Sequence, residues 1–131
     1  MADPIPQFSY LISELAKRHP NLAYVHAIES RISGNDDIEP FAKMDPLIEA
    51  WGNRVFLHAG GYEAESALAV AEENDKTLIV MRRYFISNPD LPRRIQKGIA
   101  LEPYNRAFFY NAGEAKGYTD YKPAAEINAQ A

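Results

Sequence analysis

Apolar residues at Phe8, Leu11, Ile12 and Leu15 recur at helical spacing and predict a first helix from Pro6 to about Lys17-Arg18-His19-Pro20. Proline in the first turn and cations in the last both suit a helix. Residues 22–28, Leu-Ala-Tyr-Val-His-Ala-Ile, form a nearly continuous apolar run, the pattern of a parallel strand covered on both faces. A polar, turn-rich loop follows over residues 29–40, with Ser30, Arg31 and Ser33-Gly34-Asn35-Asp36-Asp37. The second predicted helix takes Asp45 as its cap and Pro46 as its first position. It sets Met44, Leu47, Ile48 and Trp51 on one face and ends at Gly52-Asn53.

A second strand is expected over residues 54–59 and a third helix over 63–73. That helix places Ala64, Ala67, Leu68 and Ala71 inward and acids in its first turn, where its dipole favours them. A third strand spans 77–81, and a short helix capped by Asn88 or Asp90 ends at Lys97-Gly98. The order α-β-α-β-α-β-α is that of a parallel α/β fold. Beyond Gly98 the chain turns irregular and aromatic, with Tyr104, Phe108, Phe109, Tyr110, Tyr118 and Tyr121. Residues 1–122 read as one domain and 123–131 as a flexible tail.

The 131 residues suffice for a hydrophobic core but not for a complete (β/α)₈ barrel, which takes about 250. Three parallel strands cannot close, so two open edges and one uncovered apolar face are expected. A net charge of −4 argues against nucleic acid as a partner, because a phosphate backbone calls for a basic surface. Without cysteine there are no disulfides, thiolate metal sites or cysteine nucleophile. The start, Met1-Ala2-Asp3-Pro4-Ile5-Pro6, has neither the basic nor the apolar region of a signal peptide, and no run approaches the ~20 apolar residues of a membrane span. A cytoplasmic location is the resulting expectation.

The chemistry concentrates after the second and third strands. Gly60-Gly61 lets backbone approach a ligand closely, and Arg83 carries a forked donor that stays charged. Either alone has a plain reading, a tight strand-to-helix turn or a solvated arginine. One βα unit apart, they fit the phosphate site that (β/α)₈ barrels build after their last two strands. His26 and His58 stand near strand ends but read as barrel-lining residues, and His19 as solvent-facing. No converging metal-ligand set is visible.

Asp3-Pro4-Ile5-Pro6, Ala23-Tyr24-Val25-His26 with Glu29-Ser30-Arg31, Ala59-Gly60-Gly61-Tyr62, and Arg83 through Leu91 (RYFISNPDL) occur in this order. Together with Phe109-Tyr110 and Gly117-Tyr118-Thr119-Asp120-Tyr121, this ordered set resembles the old yellow enzyme family, its fungal branch most of all. Those enzymes are FMN-dependent NAD(P)H dehydrogenases and ene-reductases built on a (β/α)₈ barrel. The resemblance implies that the chain is a partial barrel, about the last three βα units. It implies FMN as cofactor, NAD(P)H as co-substrate and an activated alkene or enone as substrate. Gly60, Gly61 and Arg83 match the family's FMN-phosphate contacts, and Phe109 and Tyr110 the aromatic pair near the flavin ring. Glu29 and Arg31 match a Glu-x-Arg read as structural. The family usually has glycine just before the phosphate arginine, where this chain has Arg82. No residue matches the family's catalytic positions, so the chain alone is expected to be inactive or nearly so. A homodimer or a complementing N-terminal barrel part would cover the open sheet. The alternative is a non-catalytic truncated barrel that dimerises or serves as an interaction module.

Overall fold

The computed structural model describes residues 3–30, 32–33, 36–37 and 43–125. They fall into two compact units, Met1–Val80 and Met81–Ala131.

The first unit begins with helix α1, Ile5–Arg18, whose last turn carries Lys17 and Arg18. Strand β1, Val25–Ile28, follows. Two two-residue strands, β2 (Ile32–Ser33) and β3 (Asp36–Asp37), then pair antiparallel within the segment expected to be loop. Helix α2, Asp45–Trp51, leads to β4, Phe56–Ala59, then helix α3, Ala64–Glu73, and β5, Thr77–Val80. The main sheet is parallel in the order β1-β4-β5, so β1 and β5 form its edges among the described residues.

Register decides which side chains share a face. Val25 pairs with Phe56 and Phe56 with Thr77, which puts Val25, Ala27, Phe56, His58, Thr77 and Ile79 on one side. Helices α1 and α2 pack together, and Ile12, Met44, Leu47, Trp51 and Phe56 make the core with Val25 and Ala27 beside it. Each such buried side chain contributes on the order of 2 kcal/mol. The Trp51 indole N–H donates to the Val55 carbonyl at 2.8 Å, and the Arg54 guanidinium lies 3.7 Å above its ring. Arg54 also donates to the carbonyls of His19, Pro20 and Leu22, which holds the α1–β1 connection against the start of β4.

The opposite face carries His26, Ile28, Leu57, Ala59, Leu78 and Val80. Ile28 is 61% exposed and Leu78 52%. Among the described residues this apolar face is thus partly exposed, and the sheet has two open edges. The expectation that residues 22–28 would be covered on both faces fails for this reason: one face of β1 meets the helices and the other meets solvent.

In the second unit, helix α4, Arg83–Ser87, and helix α5, Leu91–Lys97, are followed by a 3₁₀ turn, Arg106–Phe108. Helix α4 occupies a stretch expected to be loop. It ends on a buried polar knot: Asn88 donates to the carbonyls of Tyr84 and Glu102 and accepts the Glu102 N–H, while the Ser87 hydroxyl donates to the same Glu102 carbonyl. Asp90 is the N-cap residue of α5, and Gly98 closes it in the left-handed conformation.

Three local expectations are corrected. Asp45 is the first residue of α2, with Met44 in the cap position, because Met44 already accepts the first helical bonds from Leu47 and Ile48. Phe8 and Leu11 are exposed on α1, which buries Ile12 alone, and Leu68 and Ala71 of α3 face solvent. Within the segment expected to be a tail, Ala124 is buried and its N–H donates to Asp90 at 2.8 Å. Residues 126–131 lie outside the described residues, as do Arg31, Gly34 and Asn35. Among the described residues no helix is long and apolar enough to cross a membrane, and no three His, Cys, Asp or Glu side chains converge as metal ligands.

Candidate functional site

Strand β4 runs straight into Gly60 and Gly61, with φ of 111° and 61°. Both values lie where an L side chain is disfavoured, so the turn needs glycine at each position. It also leaves no Cβ between the turn's amides and whatever approaches them. Tyr62 follows, 6% exposed, its hydroxyl donating to Glu29 Oε1 at 2.8 Å. The Glu29 N–H donates to the Ala59 carbonyl at 2.8 Å. Helix α3 then opens with a capping box between Glu63 and Ser66, the Ser66 hydroxyl accepting the Glu63 N–H at 3.0 Å. That box engages the amides of Glu63 and Ser66.

His58, on the helix-covered face, is 4% exposed, and its ring meets Phe56 edge-on with centroids 5.0 Å apart. Its Nδ1 stands 3.7 Å from Glu29 Oε1, beyond hydrogen-bonding distance, and neither ring nitrogen has a hydrogen-bond partner. It is a buried neighbour of the turn on the side of the sheet that meets the helices, so the expectation of a barrel-lining residue is corrected for His58.

The second unit holds the remaining candidates. Arg83 opens α4 and donates to the Tyr104 hydroxyl at 3.3 Å, with its guanidinium carbon 6.0 Å from that ring. Tyr104 meets Tyr84 edge-on at 5.2 Å and Phe109 at 5.5 Å. Arg83 and Phe109 are therefore gathered around Tyr104, a residue the sequence reading left in a general aromatic cluster. Tyr110 is exposed and its hydroxyl accepts from Arg82 at 2.6 Å. Arg82, the departure from glycine, adopts φ −89° and ψ −55°. The Phe109 carbonyl accepts the Tyr118 hydroxyl, fixing the backbone beside this pair. Gly60 and Gly61 belong to one unit, and Arg83, Phe109 and Tyr110 to the other.

Chemically, the first group offers a turn of two positive-φ glycines, and the second a permanent cation set in an aromatic cluster. Together these are the donor types that hold a phosphate monoester and a flat ring. Residues 1–102 match the NADH:flavin oxidoreductase / NADH oxidase family. The chain belongs to that family. FMN is the family's cofactor, and the old yellow enzyme resemblance read from the sequence is correct.

Among relatives, the chain is 48% identical over 131 residues to "Chanoclavine-I aldehyde reductase fgaOx3" of Penicillium roqueforti, covering 97% of this chain and 35% of that protein. It is 37% identical over 140 residues to "Probable inactive dehydrogenase easA" of Claviceps purpurea, covering all of this chain and 36% of that one. The crystal structure of Old Yellow Enzyme from Pichia sp. AKU4542 superposes with a TM-score of 0.75 at 34% identity, over 93% of this chain and 30% of that enzyme. The chain thus spans about a third of the length of the relatives it matches, and its fold is a partial (β/α)₈ barrel. The diglycine turn has the backbone that a cofactor phosphate would require, so the residues present fit the family's FMN.

Proposed function

We propose that this chain is the phosphate-holding third of an old-yellow-enzyme-type oxidoreductase. Gly60, Gly61 and Arg83 hold the FMN phosphate, and Phe109 and Tyr110 lie toward the flavin. The carrying observation is the pair of positive φ angles at Gly60 and Gly61, one step past the C-terminal end of β4. Ala59 at that end is the register partner of Val80, whose chain runs on through Met81 and Arg82 to Arg83. Gly60 directly follows β4 and Arg83 comes three residues after β5, each just past the carboxyl end of a strand, where barrels of this kind bind their ligands.

Bound FMN supplies hydride chemistry between NAD(P)H and an activated alkene, and the protein's part is to position and tune it. The chain's backbone amides and Arg83 secure the anionic end, and Tyr104 orients the guanidinium. No residue of this chain takes an acid, base or substrate-carbonyl role. Those groups belong to the other two-thirds of the barrel, whose inward side also covers Ile28, Leu57, Leu78 and Val80. Family membership favours this reading over a stand-alone interaction module.

Titrating the chain with FMN and with riboflavin tests the assignment, because the two ligands differ by the phosphate alone. Arg83→Ala weakens FMN binding about tenfold or more, the worth of a charge-assisted bond, and leaves riboflavin unchanged. Equal loss for both ligands removes Arg83 from the phosphate site. Alkene reduction by the isolated chain, assayed anaerobically with NADPH, is expected to be negligible. Robust turnover would refute the claim that the catalytic groups lie elsewhere.

A further inference from the structure

Consecutive arginines at 82 and 83 reach two different tyrosines. Side chains one residue apart on helical backbone do not face the same way, and here Arg83 donates to the Tyr104 hydroxyl while Arg82 donates to that of Tyr110 at 2.6 Å. The backbone leading to Tyr110 is fixed without Arg82. The Asn105 side chain caps the Arg106–Phe108 turn by accepting the Ala107 N–H at 3.0 Å, and the Tyr118 hydroxyl donates to the Phe109 carbonyl. The Tyr110 side chain has no such support. It is 69% exposed, and among the described residues it stacks on no ring and its one hydrogen bond comes from Arg82. An exposed phenol is free to change rotamer, so the Arg82 guanidinium is what holds this ring in one orientation.

We infer that Arg82 is a positioning residue for the flavin ring: it holds the Tyr110 side chain in place, while its neighbour Arg83 takes the phosphate. This rests on the reading above, in which Tyr110 lies toward the flavin, and extends it to a residue that reading leaves without a role. Ordering a side chain before the ligand arrives removes that cost from binding. Riboflavin and FMN share the same ring, so a residue acting on the ring affects both alike, whereas a residue acting on the phosphate affects FMN alone.

The test is a double-mutant cycle on flavin affinity, with riboflavin and FMN titrated into the chain. Arg82→Met keeps the aliphatic stem without the donors and weakens both ligands by the same factor, about threefold, the worth of one side chain ordered in advance. Tyr110→Phe, which keeps the ring and loses the hydroxyl, does the same, and the double variant is no weaker than either single one. Arg82→Lys, which keeps a donor, recovers most of the loss. The urea midpoint stays at the parent value in all four variants, which separates positioning from a structural role. Weakened FMN with unchanged riboflavin in Arg82→Met moves Arg82 to the phosphate and overturns the inference. Additive losses, or a loss in Arg82→Met that Tyr110→Phe does not share, overturn the route through Tyr110. Unaltered affinity for both flavins in Arg82→Met overturns it as well. Arg83→Ala in the same titrations checks the phosphate reading separately, since its failure to weaken FMN selectively sinks that reading and leaves the riboflavin cycle to decide on Arg82. A parent chain that binds neither flavin overturns both.

Discussion

A buried ion pair, Asp90–Arg94, joins the described parts of the second unit, and its removal has a calculable cost. Asp90 Oδ1 accepts from Arg94 Nε at 2.8 Å, and Oδ2 accepts the Ala124 N–H at 2.8 Å. The remaining guanidinium nitrogens of Arg94 donate to the carbonyls of Ala100 and Lys122. The two side chains are 7% and 8% exposed. Breaking a buried ion pair from one side costs about 3–5 kcal/mol, and the two carbonyl bonds that Arg94 keeps place Asp90→Ala at the lower end. Loss of the Ala124 bond adds about 1 kcal/mol, for a total near 4. Domains are stable by only about 5–15 kcal/mol, so a 51-residue unit (81–131) would lose most of its margin. Asp90→Asn keeps an acceptor and costs about half as much. Amide exchange at Ala124 and Ile99, measured with urea unfolding, reads the effect within this unit. An Asp90→Ala variant within about 0.5 kcal/mol of the parent would refute the account.

The same clasp sets a pH dependence. Burial pushes the Asp90 carboxyl up, but hydrogen bonds from the Ala124 N–H, from Arg94 and from its own backbone, with the Arg94 charge, outweigh burial and leave it below the ordinary value. A depressed folded value means the contribution is present above the unfolded pKa of about 3.9 and is lost as pH falls through the lower folded one. The parent therefore loosens at Ala124 below about pH 4, and Asp90→Asn flattens that acid limb.

Two further predictions concern the first unit. Trp51→Ala empties the centre of the core and removes the bond to Val55, costing about 3–5 kcal/mol by urea unfolding followed by circular dichroism. A loss below about 1 kcal/mol would mean that the α1–α2 core is not what holds the sheet. Leu78→Lys on the uncovered face leaves stability within about 0.5 kcal/mol and lowers self-association of the isolated chain in sedimentation velocity. Strong destabilisation would show that this face is packed.

What the sequence disclosed tracks how local the determinants are. Helix α5 was legible because Asp90 and Gly98 punctuate it, and the diglycine turn because only glycine takes its torsions. Helix α4 was not, since it closes on Asn88 and Ser87 bonding to Glu102, 14 and 15 residues away. The β2–β3 pair has two residues per strand, too few for an alternating pattern to register. In the candidate site, Gly60, Gly61 and Arg83 stood out as residue types, whereas Tyr104 and Tyr62 did not. Their roles come from reaching Arg83 and Glu29 across 21 and 33 positions.

The torsions of Arg82 bear on how the neighbouring position should be engineered. With φ −89° and ψ −55°, its backbone is one that every L-amino acid adopts without cost. A glycine favoured there in related proteins would thus reflect elbow-room for a bound molecule, not a demand of the main chain. Side-chain volume at position 82 becomes a dial: shrinking it stepwise through serine and alanine should change ligand accommodation while leaving the path of the polypeptide alone.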